Sequence, residues 1–199
     1  KRELELNNTF KEENIENGFD KDAFKLLQKK KKVRLIDASH FMISDNLRFH
    51  SVNENILVQS EDKKKFTKKD FKIMSKRKPT QSQFNDLIFA FNVCRYVKSN
   101  AIVLATNKTT IGIGSGQPSR LDSCQIALDK MKKFIEPIKD VVAASDAFFP
   151  FVDGIEKLVQ SGVKAIIQPS GSIRDNDVIK FADETNTVLL FSKTRHFRH

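Results

Sequence analysis

The sequence predicts an α/β fold with a mostly parallel sheet, and three observations carry that reading. First, short apolar runs alternate with helical patterns across the last third: strand 141–144, loop 146–153, helix 154–160, strand 165–168, helix 175–183 and strand 188–191. Such alternation stacks helices on a largely parallel sheet. Second, Thr80 and Gln83 after Pro79 have the spacing of a capping box, and Phe84, Leu87, Ile88, Phe91 and Val97 then recur on one face, which predicts a helix over 81–97. Third, Gly112, Gly114 and Gly116 stand between an apolar run and a second helical pattern, a strand-to-helix corner.

In chain order, residues 1–20 are polar and rich in Glu and Asn, an irregular or weakly helical edge. Phe24 and Leu27, with Leu26, give a helix over 21–31 that feeds a short strand at Val33-Arg34-Leu35-Ile36. Residues 39–72 are polar apart from Ile56-Leu57-Val58 and predict irregular structure with one or two edge strands. After the helix over 81–97, Ser99-Asn100 stops the pattern. A strand follows at 101–105, then an Asn107-Lys108 turn, a strand at 111–114, and a helix over 119–134 carrying Leu121, Cys124, Ile126, Leu128 and Met131. This divides the chain into a less ordered segment, 1–75, and an α/β unit, 76–199.

The composition is that of a soluble globular protein: 199 residues, 39% hydrophobic and 30% charged. No run of about 18 apolar residues marks a membrane span. No export leader is visible, which points to the cytoplasm. The first residue is not Met, which suggests sequence removed upstream. The net charge of +10 is uneven, with 22 Lys and Arg against 14 Asp and Glu in residues 1–100 but 13 against 11 in 101–199. The basic runs Lys29–Lys32, Lys63–Lys65 with Lys68-Lys69, and Lys76-Arg77-Lys78 lack the interleaved aromatics of single-strand binders. They read as solvated surface, with a basic RNA-binding module as the alternative. Cys94 and Cys124 fall inside helical patterns as small buried hydrophobes of a reducing compartment. The histidines (His40, His50, His196, His199) come without a His-x-Glu or Cys-x-x-Cys partner, which counts against a zinc deaminase, and no metal-ligand set emerges.

Candidate chemistry gathers at the strand ends. Gly112, Gly114 and Gly116 either cradle a phosphate on backbone amides or serve conformation alone, and the residues leave both open. Arg120, at the next helix start, suits a carboxamide, carbonyl or phosphate. Asp146-Ala-Phe-Phe-Pro-Phe151 puts three aromatics in a loop that packs on its own core or stacks on a flat heterocycle. Pro169-Ser-Gly-Ser172 and Thr194-Arg-His-Phe-Arg-His199 follow the next two strands. Three strand ends thus feed one rim, suited to a planar, phosphate-bearing ligand.

Five stretches match a known family in order and spacing: Lys98-Ser-Asn-Ala-Ile-Val103, Gly112-Ile-Gly-Ser-Gly-Gln-Pro-Ser-Arg120, Ser145-Asp-Ala-Phe-Phe-Pro-Phe151, Gln168-Pro-Ser-Gly-Ser-Ile-Arg-Asp175 and Arg195-His-Phe-Arg-His199. They resemble the C-terminal part of the transformylase half of the bifunctional purine-biosynthesis proteins, AICAR transformylase/IMP cyclohydrolase. The resemblance is strong from about residue 76 and weaker before it, where Asn53-Glu54-Asn55 stands in place of a usual glycine pair. It implies a three-layer α/β/α, cytidine-deaminase-like unit over 76–199, preceded by the incomplete tail of a neighbouring unit. It also implies formyl transfer from 10-formyltetrahydrofolate to AICAR, giving FAICAR on the way to IMP. By motif, Asn100 is the catalytic amide, AICAR is bound by Asn100, Arg120, Phe148 and Arg195, and folate is bound by Leu121, Asp153, Ser172 and Ile173. The family's full-length members imply a homodimer, and a potassium ion, structural in some members, stays open. The family's Lys-His pair, within Lys-His-x-Asn-Pro-Cys-Gly, has no counterpart in these residues, and neither has the cyclohydrolase domain; no Lys-His dipeptide occurs in the sequence. The expectation is therefore a ligand-binding portion with little or no activity alone.

Overall fold

The computed structural model describes residues 13–31, 33–41, 47–133 and 138–198. It forms two compact units, divided between Glu61 and Asp62. In the first, β1 (Glu13–Glu16) pairs in parallel with β2 (Arg34–Asp37), Ile15 opposite Ile36, and α1 (Lys21–Leu27) connects them. The Asp20 carboxylate starts α1 by accepting from the Asp22 and Ala23 N–H groups at 3.0 and 2.8 Å. A hairpin follows, β3 (Leu47–Val52) against β4 (Asn55–Ser60). Its turn takes φ +52° at Asn53, a conformation asparagine tolerates well, so the hairpin closes without a glycine.

The second unit is built on one six-stranded sheet. Its elements are β5 (Phe71–Ile73), α2 (Gln81–Cys94), β6 (Ile102–Thr106), β7 (Thr109–Gly114), α3 (Arg120–Met131), β8 (Val142–Ser145), α4 (Asp153–Gln160), β9 (Ala165–Pro169), α5 (Asp175–Glu184) and β10 (Val188–Ser192). The strand order is β5-β10-β9-β8-β6-β7. Residues 62–75, grouped with the first segment in the sequence reading, belong to this unit because β5 pairs antiparallel with β10. The edge it forms carries Lys72, and an edge strand bearing lysine resists pairing with another chain.

The mostly parallel sheet expected from alternation holds for the last third, where β8, β9 and β10 run parallel. The sheet as a whole is mixed, since β6 is antiparallel to both β7 and β8 and β5 to β10. The cause is local. Asn107 and Lys108 both adopt positive φ, the geometry of a tight hairpin turn, so β7 folds straight back on β6. Buried Asp86 on α2 clamps that turn by accepting from the Asn107 and Lys108 N–H groups at 3.0 and 2.8 Å. The α3 crossover then places β8 on the far side of β6.

Strand alternation splits the core into two layers around the sheet. Leu87, Ala90, Phe91 and Cys94 of α2 pack with Val103, Ala105, Val142, Ala144, Ile167 and Leu190 on one face. On the other, α3, α4 and α5 supply Cys124, Leu128, Ile155, Leu158, Val178 and Ala182 against Ile102, Leu104, Ala143, Ile166 and Leu189. The result is the expected three-layer α/β/α arrangement, compatible with a cytidine-deaminase-like unit. The capping box at α2 forms as read: Gln83 N–H donates to Thr80 Oγ1 at 3.2 Å, and Thr80 N–H donates to Gln83 Oε1 at 3.1 Å. That helix ends at Cys94, short of Val97, and α3 ends at Met131; Phe134 lies outside the described residues. Among the described residues no helix is long and apolar enough to cross a membrane.

Candidate functional site

A cavity of about 490 Å³ opens where β8 and β10 end and α3 begins, within the usual size of small-molecule sites. Because β6 runs antiparallel to β8, it is the entry to β6, not its exit, that reaches this edge, and Asn100 lies there. Asn100, Arg120, Leu121, Phe148, Asp153 and Arg195 all line the cavity. Ser172 and Ile173 do not. They occupy the loop after β9, where the Ser172 hydroxyl accepts from the Arg174 N–H at 3.1 Å and the Ile173 side chain is fully exposed. That loop still meets the cavity wall through Gly171, whose backbone faces the Arg195 guanidinium.

Arg120 organises the inner wall. Its Nη1 donates to Ser145 Oγ at 2.9 Å and to the Asp146 carboxylate, and its Nη2 donates to Asn100 Oδ1 at 2.8 Å. Asp146 is fully buried, so the Arg120 charge is neutralised from behind. Of the five guanidinium donors, these bonds use three and leave two for a ligand. Asn100 is held just as firmly, with Nδ2 donating to the Gln117 and Pro118 carbonyls at 2.9 and 3.1 Å. The Ser123 hydroxyl donates to the Asn100 carbonyl at 2.8 Å, tying the loop to α3.

The three aromatics of the loop after β8 divide their roles. Phe149 is buried in the core, packs over Gly154, and its N–H donates to the Gln168 side-chain oxygen at 3.3 Å. Phe148 and Phe151 line the cavity, Phe148 half-buried and Phe151 exposed. Core packing thus holds for Phe149, while Phe148 and Phe151 present their rings to the cavity. Arg195 lies over the Phe148 ring at 4.8 Å and Arg174 over Phe151 at 5.1 Å. Among the described residues no carboxylate pairs with Arg195.

The glycines resolve toward packing. A Cβ at Gly112 would lie 2.1 Å from the Ala127 carbonyl oxygen, and one at Gly114 would lie 1.9 Å from that of Ser123, so β7 and α3 touch backbone to backbone. Gly116 has φ +69°, and none of the three lines the cavity. Both thiols are buried and free. Burial pushes Cys124 up to about 12 and raises Cys94 well above the ordinary thiol value, so neither is a ready nucleophile. His196 is buried beside Asp62; burial lowers its pKa and outweighs the carboxylate, which acts to raise it. Among the described residues no group of three or more His, Cys, Asp or Glu side chains gathers as a metal-ligand set.

The residues the sequence did not point to are Ser145 and Asp146 as supports for Arg120. A carboxylate two positions past the apolar run Val141–Ala144 was the available signal, since a charge so close to a buried strand must find a partner.

The sequence profile of the AICARFT/IMPCHase bienzyme family matches residues 2–130. The chain is 42% identical over 194 residues to the bifunctional purine biosynthesis protein PurH of Chlorobium chlorochromatii, covering 98% of this chain and 37% of that protein. It is 45% identical to PurH of Fusobacterium nucleatum, again over 98% of this chain and 38% of the relative. The chain thus spans a little over a third of the length of these relatives. Among solved structures, an apo dCMP deaminase from the cyanophage S-TIM5 aligns at 16% identity and a TM-score of 0.38, over 56% of this chain and 98% of the other.

Proposed function

The chain belongs to the AICARFT/IMPCHase bienzyme family, and on that footing we propose that its cavity is the AICAR- and folate-binding part of a formyltransferase site. There AICAR takes a formyl group from 10-formyltetrahydrofolate and becomes FAICAR, a step of IMP biosynthesis. The observation that supports this is the convergence of Asn100, Arg120, Leu121, Phe148, Asp153 and Arg195, drawn from separated segments, on one cavity.

The electrostatics divide the ligand between two arginines. Arg195 is unopposed by any carboxylate among the described residues, so it answers phosphate charge, while Arg120, neutralised by Asp146, holds a carboxamide or carbonyl with its two remaining donors. Phe148 forms the wall beside AICAR. Leu121 and Asp153 face the folate, and Ser172 with Ile173 continue that wall past Gly171. In the transfer the AICAR amine attacks the formyl carbon, an oxyanion forms, and tetrahydrofolate leaves. Asn100 supplies a donor to that oxyanion by releasing the longer of its two bonds, the one to Pro118.

Among the described residues the cavity holds no histidine placed to take the amine proton. His40 and His50 belong to the first unit, His196 is turned onto Asp62, and His199 lies outside the described residues. The base and its lysine come from sequence beyond these 199 residues, as does the cyclohydrolase step, in a cytoplasmic homodimer of the full-length protein. The 199 residues given AICAR and 10-formyltetrahydrofolate should form FAICAR several orders of magnitude more slowly than an ordinary enzyme. Adding a polypeptide with the Lys-His-x-Asn-Pro-Cys-Gly segment should raise the rate. Turnover of about 1 per second by these residues alone would contradict the assignment.

A further inference from the structure

We propose that His196 is a positioning residue for Arg195: its ring and backbone together pin the strap after β10, so that the Arg195 guanidinium stays over Phe148 and beside Gly171. Only the affinity measurements below rest on reading the cavity as an AICAR site.

Arg195 reaches the cavity from a segment with no regular secondary structure, and a long side chain there would sample many rotamers. Two contacts confine it. Phe148 underlies the guanidinium, and Gly171 leaves room beside it: a Cβ at Gly171 would lie 3.1 Å from Arg195 Nη2. Both contacts require the Arg195 backbone to stay in place, and the adjacent residue is the buried one. The His196 ring packs on Phe91 at 4.3 Å and edge-on to Phe66 at 5.3 Å, and its Nδ1 is hydrogen-bonded to the Asp62 carboxylate. Its backbone N–H donates to the Asp146 carbonyl at 2.9 Å. Asp146 therefore fastens both arginines, Arg120 through its carboxylate and Arg195 through the His196 backbone.

An apolar residue could fill the pocket between Phe66 and Phe91, but it could not bond Asp62. In the neutral ring Nδ1–H is donated to Asp62 and Nε2 carries a lone pair, buried without a partner among the described residues. The charged groups around the ring are Asp62, Arg95 at the end of α2, and Asp146 after β8. Protonation would place a second N–H at Nε2 with no acceptor, so the neutral form is the one that fastens the strap, in keeping with the lowered pKa.

The test combines nitrogen-detected NMR of the Arg195 side chain in the ligand-free chain with AICAR titrations. In wild type the Arg195 Nε–H signal should carry the ring-current shift of Phe148. His196→Leu, which keeps volume but loses the hydrogen bond, should move it toward the free-arginine position and weaken AICAR binding about tenfold. His196→Asn, which keeps a donor near Nδ1, should recover most of both. The double variant His196→Leu/Arg195→Ala should bind no more weakly than Arg195→Ala alone, because His196 acts through Arg195. If His196→Leu does not fold, Asp62→Ala removes the same bond and should shift the signal the same way. An unmoved Arg195 signal, or a lower melting temperature with unchanged affinity, would overturn the proposal. A wild-type chain that binds no AICAR would defeat the functional assignment, and the Arg195 signal would still decide the positioning role.

Discussion

Arg120→Ala is expected to unsettle the protein and its ligand site together. The Arg120 side chain is 9% exposed and that of Asp146 is fully buried, so truncation strands a carboxylate whose other oxygen already lacks a partner among the described residues. Removing one member of a buried pair costs about 3–5 kcal/mol, which for a chain of this size lowers the melting temperature by roughly 10 °C. AICAR binding, measured where the variant is still folded, should weaken by roughly 1.5–3 kcal/mol, the worth of a hydrogen bond to a charged donor. The two effects separate in the double variant Arg120→Ala/Asp146→Ala. It should regain part of the stability and none of the affinity, and thermal melts beside calorimetric titrations read both. Recovery of affinity in the double variant would mean that Arg120 only shields Asp146.

The second large effect belongs to Gly114. An alanine Cβ there would meet the Ser123 carbonyl oxygen at 1.9 Å and the Ser123 carbon and Cα at 2.6 and 2.8 Å, all helix backbone that cannot rotate away. Overpacking usually costs about 1–3 kcal/mol when side chains can give, and here α3 must leave the sheet. Gly114→Ala should therefore destabilise by more than about 3 kcal/mol in a denaturant melt. It should also disturb Asn100, because Ser123 carries the hydroxyl bonded to the Asn100 carbonyl. Gly162 is the control: it has φ +94° and open space where a Cβ would stand, with nothing within 4 Å. Gly162→Ala should thus cost only the conformational penalty, about 1–2 kcal/mol. Equal losses at the two glycines would show that close packing of α3 is not the constraint.

How much of this was legible in the sequence depended on whether the determinant was local. The α2 start was, because a capping box is written within four residues, and so were β8 to β10, whose apolar runs are fully buried between helix layers. β1 and β5 were not. Glu13–Glu16 has one buried position and Phe71–Ile73 lies among lysines, so each strand exists through a partner distant in sequence. The mixed sheet was legible in part: the Asn107-Lys108 turn between two apolar runs was written in the sequence, but that β6 also runs antiparallel to β8 depends on where the α3 crossover returns the chain.

At the site, the motifs of the family resemblance identified six residues that line the cavity, but composition and periodicity alone reached only a rim of polar loops. The ion pair of Arg120 with Asp146 spans 26 positions, and His196 with Asp62 spans 134, distances at which sequence pattern carries no signal. Ser172 and Ile173 followed the motif to the neighbouring loop and not to the cavity lining. The glycine cluster shows the converse. Its sequence fits phosphate binding or tight packing equally, and only the approach of α3 separates the two.

AICAR is expected to enter the cavity between Asn100, Arg120, Phe148 and Arg195, and the most direct measurement is a titration of the 199-residue chain with AICAR followed by NMR of side-chain amide and guanidinium groups. Saturable shifts at Asn100, Arg120 and Arg195, strongly weakened in Arg195→Ala, are the predicted result. Saturable binding whose shifts map elsewhere, or no response to AICAR by a chain whose spectrum shows it folded, would contradict it.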